Sequence, residues 1–177
     1  MFYESIAKVY DYIFPKNRKQ LEFVESIKKI NSKEKMLDIG CATGNLTELL
    51  GEKTRNIIGI DLDKELLKEA KDKHPNLNFE NMNMLEINEK FEENSFERVV
   101  SFGNTLVHLD SREEVEEFFQ KVYKTLKFNG FFIVQIINYN RIIEKNIKNL
   151  PTIDNEKVKF VRDYEYDKKN FSQNKSL

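Results

Sequence analysis

Two glycines four apart follow an aspartate in the run Met36-Leu37-Asp38-Ile39-Gly40-Cys41-Ala42-Thr43-Gly44. Leu37 and Ile39 suit the buried faces of a strand. Gly40 and Gly44 suit the turn after it, where a side chain would block a ligand or the packing of the next helix. Asp38 makes the pattern chemically particular. A glycine loop built for a dinucleotide pyrophosphate aims N–H groups at negative charge, and a carboxylate at the strand end repels that ligand. The same carboxylate suits a ligand that carries an ammonium and a sulfonium, the chemistry of S-adenosylmethionine. About twenty residues on, Asn56-Ile57-Ile58-Gly59-Ile60-Asp61-Leu62-Asp63 reads as a buried strand ending in an acid. In a βαβ nucleotide site an acid there accepts from ribose hydroxyls. Asp61 could instead cap the next helix, but Asp63 directly precedes the Leu66, Leu67, Ala70 stripe and fits that role better.

These residues need a framework. The chain has 177 residues, 40% of them hydrophobic, enough for one domain with a core. Strand-like and helix-like segments alternate, which implies an α/β fold with a parallel sheet covered on both faces. Leu21, Val24, Ile27 and Ile30 form a helical stripe. The predicted strands are Lys35 to Ile39, Ile57 to Ile60, Leu77 to Glu80, Phe96 to Phe102, and Phe131 to Ile137, the last apolar enough to lie centrally. A helix is predicted from Lys64 to about Lys73, stopped by His74-Pro75-Asn76. Ser111 and Glu114 make a capping box for a helix with Val115, Phe118, Phe119, Val122 and Leu126 on its apolar face, ended by Asn129-Gly130. Arg141 to Leu150 reads as helical until Pro151. Val158, Phe160, Tyr164 and Tyr166 then alternate with charged residues, as in an antiparallel strand with one wet face. The last ten residues are polar and read as frayed.

Composition removes several classes of function. Net charge is −1 with a pI near 6.2, which argues against a broad basic face for nucleic acid. The single cysteine, Cys41, excludes a disulfide framework and a Cys/His metal cluster, and reads as a small loop residue rather than a nucleophile. No apolar run has the length of a membrane span and the N-terminus lacks a signal-peptide pattern, so the expected location is the cytoplasm.

On these residues the chain resembles the class I S-adenosylmethionine-dependent methyltransferases from about Tyr3 to Tyr166. Asp38-Ile39-Gly40-Cys41-Ala42-Thr43-Gly44 matches their first motif, with Ala42 where a middle glycine is common, and Gly59-Ile60-Asp61 matches the second. Within that superfamily it is most similar to glycine/sarcosine N-methyltransferases and related small-molecule enzymes. Gly103-Asn104-Thr105-Leu106-Val107-His108-Leu109, Asn138-Tyr139-Asn140 and Asn83-Met84-Leu85 carry that likeness.

The resemblance implies a Rossmann-like, doubly wound, mostly parallel sheet with helices on both faces. It implies cofactor contacts from Asp38, Gly40, Cys41, Gly44, Asp61, Leu62 and Phe102, with Asn83 and Met84 facing adenine. Asn104 and His108 would lie at the acceptor end, where open α/β sheets place their crevice. Residues 1–30 look like a helical flap over the cofactor, 31–167 like the methyltransferase domain, and 168–177 like a polar tail. In the flap Tyr10 and Tyr12 would touch cofactor or acceptor, and Arg18 would fork onto the cofactor carboxylate. Asn83, Met84, Asn104, His108 and the flap residues each also read as ordinary turn, packing or surface residues.

The implied reaction is in-line methyl transfer to an amine or hydroxyl of a small molecule, with no nucleic-acid or membrane partner and no metal. Relatives continue with a further antiparallel hairpin, so the C-terminal hairpin is expected to be incomplete here. That leaves two alternatives open: an S-adenosylmethionine-binding module with little turnover, and a dimer formed through an open sheet edge. A nucleic-acid methyltransferase is disfavoured by the charge balance, and a NAD dehydrogenase by Asp38.

Overall fold

The computed structural model describes residues 6–166 and 171–176. The chain divides into two compact units, one of Met1–Lys8 and Lys16–Ile136, the other of Val9–Pro15 and Ile137–Leu177.

The first unit is built on five parallel strands: β1 (Met36–Ile39), β2 (Ile57–Asp61), β3 (Asn78–Asn81), β4 (Phe96–Ser101) and β5 (Leu126–Val134), in the order β3-β2-β1-β4-β5. Its helices are α1 (Arg18–Ile27), α2 (Asn45–Gly51), α3 (Lys64–Lys73), α4 (Ile87–Lys90) and α5 (Arg112–Thr125). The two-residue period of the strands divides the core between the sheet's faces. Met36, Ile57, Val100 and Ile133 pack with Leu21 and Val24 of α1 and Leu46, Leu49 and Leu50 of α2. Leu37, Ile39, Ile60 and Val99 pack with Ile87 of α4 and Phe118 and Val122 of α5. The chain therefore has the parallel sheet covered on both faces that its alternation of elements predicts, in the doubly wound, Rossmann-like arrangement that the resemblance implies.

Side-chain caps open several of the helices. Asp63 Oδ1 accepts from Glu65 N and Leu66 N at 3.0 Å each, capping α3. Ser111 Oγ accepts from Glu114 N at 3.1 Å, and Glu114 Oε2 accepts from the N–H of Asp110 rather than of Ser111, so the box closes one residue early.

Several expectations are corrected. β5 starts at Leu126, directly after α5, and carries Asn129-Gly130 within it: Asn129 has φ 61°, and the pairing with β4 shifts register between Phe96 and Arg98. β5 also lies at the edge of this sheet, not at its centre. Its apolar composition reflects cover on both faces. Phe132 packs edge-on against Phe118 and Phe119, while Arg98 and Lys28 lie over the Phe131 ring. Third, the stretch read as helical to Leu150 stops earlier.

That stretch belongs to the second unit. Helix α6 spans only Tyr139–Glu144, and Asn149–Asp154 is strand β6. Pro151 fits there because β6 is an edge strand whose pairing is interrupted between Leu150 and Ile153. β6, β7 (Lys159–Tyr166) and β8 (Phe171–Ser176) form a three-stranded antiparallel sheet. Val158, Phe160 and Tyr164 are buried, in keeping with the predicted alternation. Residues 171–176, read from composition as part of a frayed tail, pair through backbone groups with β7, a bond type that any residue but proline can supply.

Candidate functional site

The site begins with the parallel pairing of β1 and β2, which sets Asp38 beside Gly59 and Ile39 beside Ile60. Beyond β1 the chain turns over the end of β2: the N–H groups of Gly40 and Cys41 both donate to Ile60 O, at 2.8 and 3.0 Å. Gly40 has φ 76°, and a Cβ there would fall 2.2 Å from Thr105 Oγ1, so only glycine lets the β4 loop close on this turn. Gly44, at φ 80°, ends the turn and precedes α2; a Cβ on it would fall 2.7 Å from the Phe79 ring.

Asp61 ties this turn to the second strand. Its Oδ2 accepts from Ala42 N at 2.8 Å and its Oδ1 from Asp63 N at 2.9 Å. Burial raises its pKa above the ordinary carboxylate value, against the lowering effect of those N–H groups. Each oxygen keeps further acceptor capacity for a ligand. Leu62, beside it, is 65% exposed, an apolar surface at the strand end. Asn81 braces the same corner, with Nδ2 donating to the carbonyls of Asp61 and Leu62 at 3.0 and 2.8 Å.

Asp38 is enclosed beneath the turn at 1% exposure. Its Oδ2 accepts from Thr47 Oγ1 at 2.7 Å. Burial first, then the Asp61 charge, push its pKa up to about 7, with Thr47 acting the other way. The same two carboxylates and burial push the Cys41 thiol up, so Cys41 stays protonated and unsuited to nucleophilic attack.

The β4 loop stands next to this turn. Ser101 Oγ donates to Ile39 O at 3.0 Å, and Thr105 Oγ1 donates to Phe102 O at 3.0 Å. Gly103 and Asn104 are both left-handed, at φ 77° and 75°. Gln135, just past β5, holds them: its Oε1 accepts from Gly103 N at 3.0 Å and its backbone oxygen from Asn104 N at 3.3 Å. Phe102 is buried, packed edge-on to Phe23. His108 is exposed at the end of the turn Thr105–His108. Asn83 accepts from Leu85 N at 3.0 Å, opening the turn that carries half-buried Met84.

Asp38, Gly40, Cys41, Gly44, Asp61 and Leu62 thus belong to one corner of the first unit. Arg18 is in that unit too, forked onto Glu52 at 3.0 and 2.8 Å. Tyr10 and Tyr12 fall in the second unit, where Tyr10 packs on Phe14 and Tyr12 O accepts from Asn155 Nδ2 at 2.9 Å. Thr47, Asn81, Ser101 and Gln135 were missed from sequence. Each is an ordinary polar residue whose partner lies on another element.

The corner supplies two carboxylates and a glycine turn at the ends of adjacent parallel strands. No group of three or more His, Cys, Asp or Glu among the described residues is placed to hold a metal ion. Nor is any described helix long and apolar enough to cross a membrane. An acceptor-rich corner of this kind fits the hydroxyls of a ribose and the positive charge of a sulfonium or ammonium.

Known proteins resemble this chain in sequence and in fold. YqeM of Bacillus subtilis, named as a candidate methyltransferase, is 30% identical over 151 residues, which make up 81% of this chain and 59% of YqeM. A similarly named protein of Geobacillus is 30% identical over 145 residues, 77% of this chain and 58% of its own length. The chain thus spans under two thirds of these curated relatives. Among solved structures, an S-adenosylmethionine-dependent methyltransferase from Clostridium acetobutylicum shares the fold with a TM-score of 0.73 at 19% identity, over 99% of this chain and 80% of that one. DesVI of Streptomyces venezuelae shares it with a TM-score of 0.76 at 16% identity, over 96% and 80%. Residues 36–130, more than half the chain and including the whole glycine turn and Asp61, match the family described as a methyltransferase domain, and the chain belongs to that family.

Proposed function

We propose that this chain binds S-adenosylmethionine and transfers its methyl group to an amine or hydroxyl of a small molecule. The observation that carries the reading is the bond from Ala42 N to Asp61 Oδ2, which joins the glycine turn and the acid into one corner. Asp61 accepts from the ribose hydroxyls, and Leu62 lies against the nucleoside. Buried Asp38 places negative charge beneath the turn, which favours a cationic ligand and disfavours a pyrophosphate. Asn83 and Met84 flank the adenine. S-adenosylmethionine supplies an electrophilic methyl carbon on sulfur. Transfer needs alignment of a lone pair and exclusion of water more than covalent help from the protein. Asn104 and His108, on the loop locked by Gln135, are the acceptor-side groups. Arg18 completes the proposed cofactor set. Glycine- or sarcosine-like amines are the narrower form of this reading, supported by the Gly103 to Leu109 stretch.

Calorimetric titration with S-adenosylmethionine tests it. Asp61→Ala removes hydrogen bonds to a charged acceptor worth about 1.5–3 kcal/mol, so affinity falls about tenfold or more. An unchanged dissociation constant in a folded variant would make Asp61 purely structural. The second reading is binding with little turnover. Labelled-methyl transfer to a panel of small amines and alcohols separates the two, since only the first yields product.

A further inference from the structure

Thr47 has no part in the reading above, yet its hydroxyl is committed to the site. Both it and Asp38 are buried, at 0% and 1% exposure. Its Oγ1 donates to Asp38 Oδ2 at 2.7 Å across nine positions of sequence. A threonine in the first turn of a helix ordinarily bonds to nearby backbone, and as a β-branched residue it weakens a helix slightly. Here it reaches from α2 to a side chain on β1. Groups of the neighbouring elements also face Asp38. From β2 comes the Asp61 carboxylate, which opposes its charge. From the turn comes the Cys41 thiol, held protonated. Ser101 of neighbouring β4 spends its hydroxyl on Ile39 O. Thr47 donates to the Asp38 carboxylate.

We propose that Thr47 is a positioning residue of the cofactor corner: its hydroxyl, reaching from α2, fixes the Asp38 carboxyl beneath the glycine turn and favours its charged form over its neutral one. This rests on the reading of Asp38 as a source of negative charge for S-adenosylmethionine. It gives that charge a control point outside the glycine motif. Valine would fill the same space without donating, whereas serine would still donate.

Carbon-13 NMR of the aspartate carboxyls, with Asp38→Asn for assignment, follows the titration directly. The Asp38 midpoint is expected to move up by about one to two pH units in Thr47→Val, because a hydrogen bond to the charged form is lost. Thr47→Ser should stay near wild type. S-adenosylmethionine affinity, measured by calorimetry over the same range, should fall about tenfold at neutral pH in Thr47→Val and recover at high pH, where both proteins are ionised. A midpoint unmoved in folded Thr47→Val overturns the proposal. If that variant does not fold, Thr47→Ala gives the same midpoint comparison. A midpoint that moves while affinity stays flat with pH in both proteins supports Thr47's hold on Asp38, and overturns the reading of Asp38 as a ligand charge.

Discussion

Ala42 shows how one residue can serve a site at a local cost. It stands at φ 48°, where its N–H meets Asp61, and L residues with a Cβ pay about 1–2 kcal/mol in that region. Glycine pays no such strain but loses about 0.5–1 kcal/mol more chain entropy on folding. Ala42→Gly should therefore stabilise the protein by up to about 1 kcal/mol, with S-adenosylmethionine affinity unchanged. Urea denaturation reads the first quantity and calorimetry the second. A loss of stability would mean that the alanine methyl contributes packing greater than its strain.

At the scale of elements, Arg98 of β4 connects the sheet to α1. It is 1% exposed, donates through Nη1 to the carbonyls of Val24 and Lys28 at 3.0 Å each, and sets Nη2 3.2 Å from Glu34 Oε2. The C-terminal end of α1 thus has its open carbonyls satisfied by a buried cation. Arg98→Met would strip those bonds and strand Glu34 at 8% exposure, at a cost of about 3–5 kcal/mol. Adding Glu34→Gln should recover part of that loss, since it removes the unpaired charge; two losses that simply add in denaturation would argue against coupling. Gln135 acts between β5 and the β4 loop. Gln135→Leu removes the acceptor for Gly103 N, so loosening should raise KM for the methyl acceptor and lower kcat, while S-adenosylmethionine affinity moves less than about twofold. An equal loss in cofactor affinity would show that the two loops act as one.

For the molecule as a whole, the two acids make stability depend on pH in an unusual direction. Asp38 and Asp61 both have folded-state pKa values above the ordinary carboxylate value, Asp38 at about 7. Between the unfolded value near 4 and that folded value, the native state binds more protons than the unfolded chain. The contribution of Asp38 is therefore fully present below about pH 4 and is lost as pH rises through 7, and Asp61 acts in the same direction. Asp38→Asn, which cannot ionise, should be more stable than wild type at pH 8 by a few kcal/mol, and the advantage should vanish near pH 4. Thermal unfolding across that range checks the sign. A cationic ligand that meets the ionised pair should raise Tm more at pH 8 than at pH 5.

The sequence by itself determined what depends on neighbours along the chain. The strand–turn–helix–strand–acid order around Gly40 and Asp61, the capping of α3 by Asp63, and the two buried faces of the sheet all follow from local chemistry and period. Tertiary structure decided what depends on partners far away. A pattern of apolar residues states which faces are buried but not which strand is the edge, so β5 read as central when helices merely cover both its faces. Nothing near Arg98 in sequence marks its partners, the carbonyls of Val24 and Lys28, 74 and 70 positions away. Arg18 found Glu52, and Gln135 found Gly103, across 34 and 32 positions. A polar side chain carries no mark of its partner in sequence, because hydrogen bonds are set by distance and angle, and only folding brings the two groups to within 3 Å.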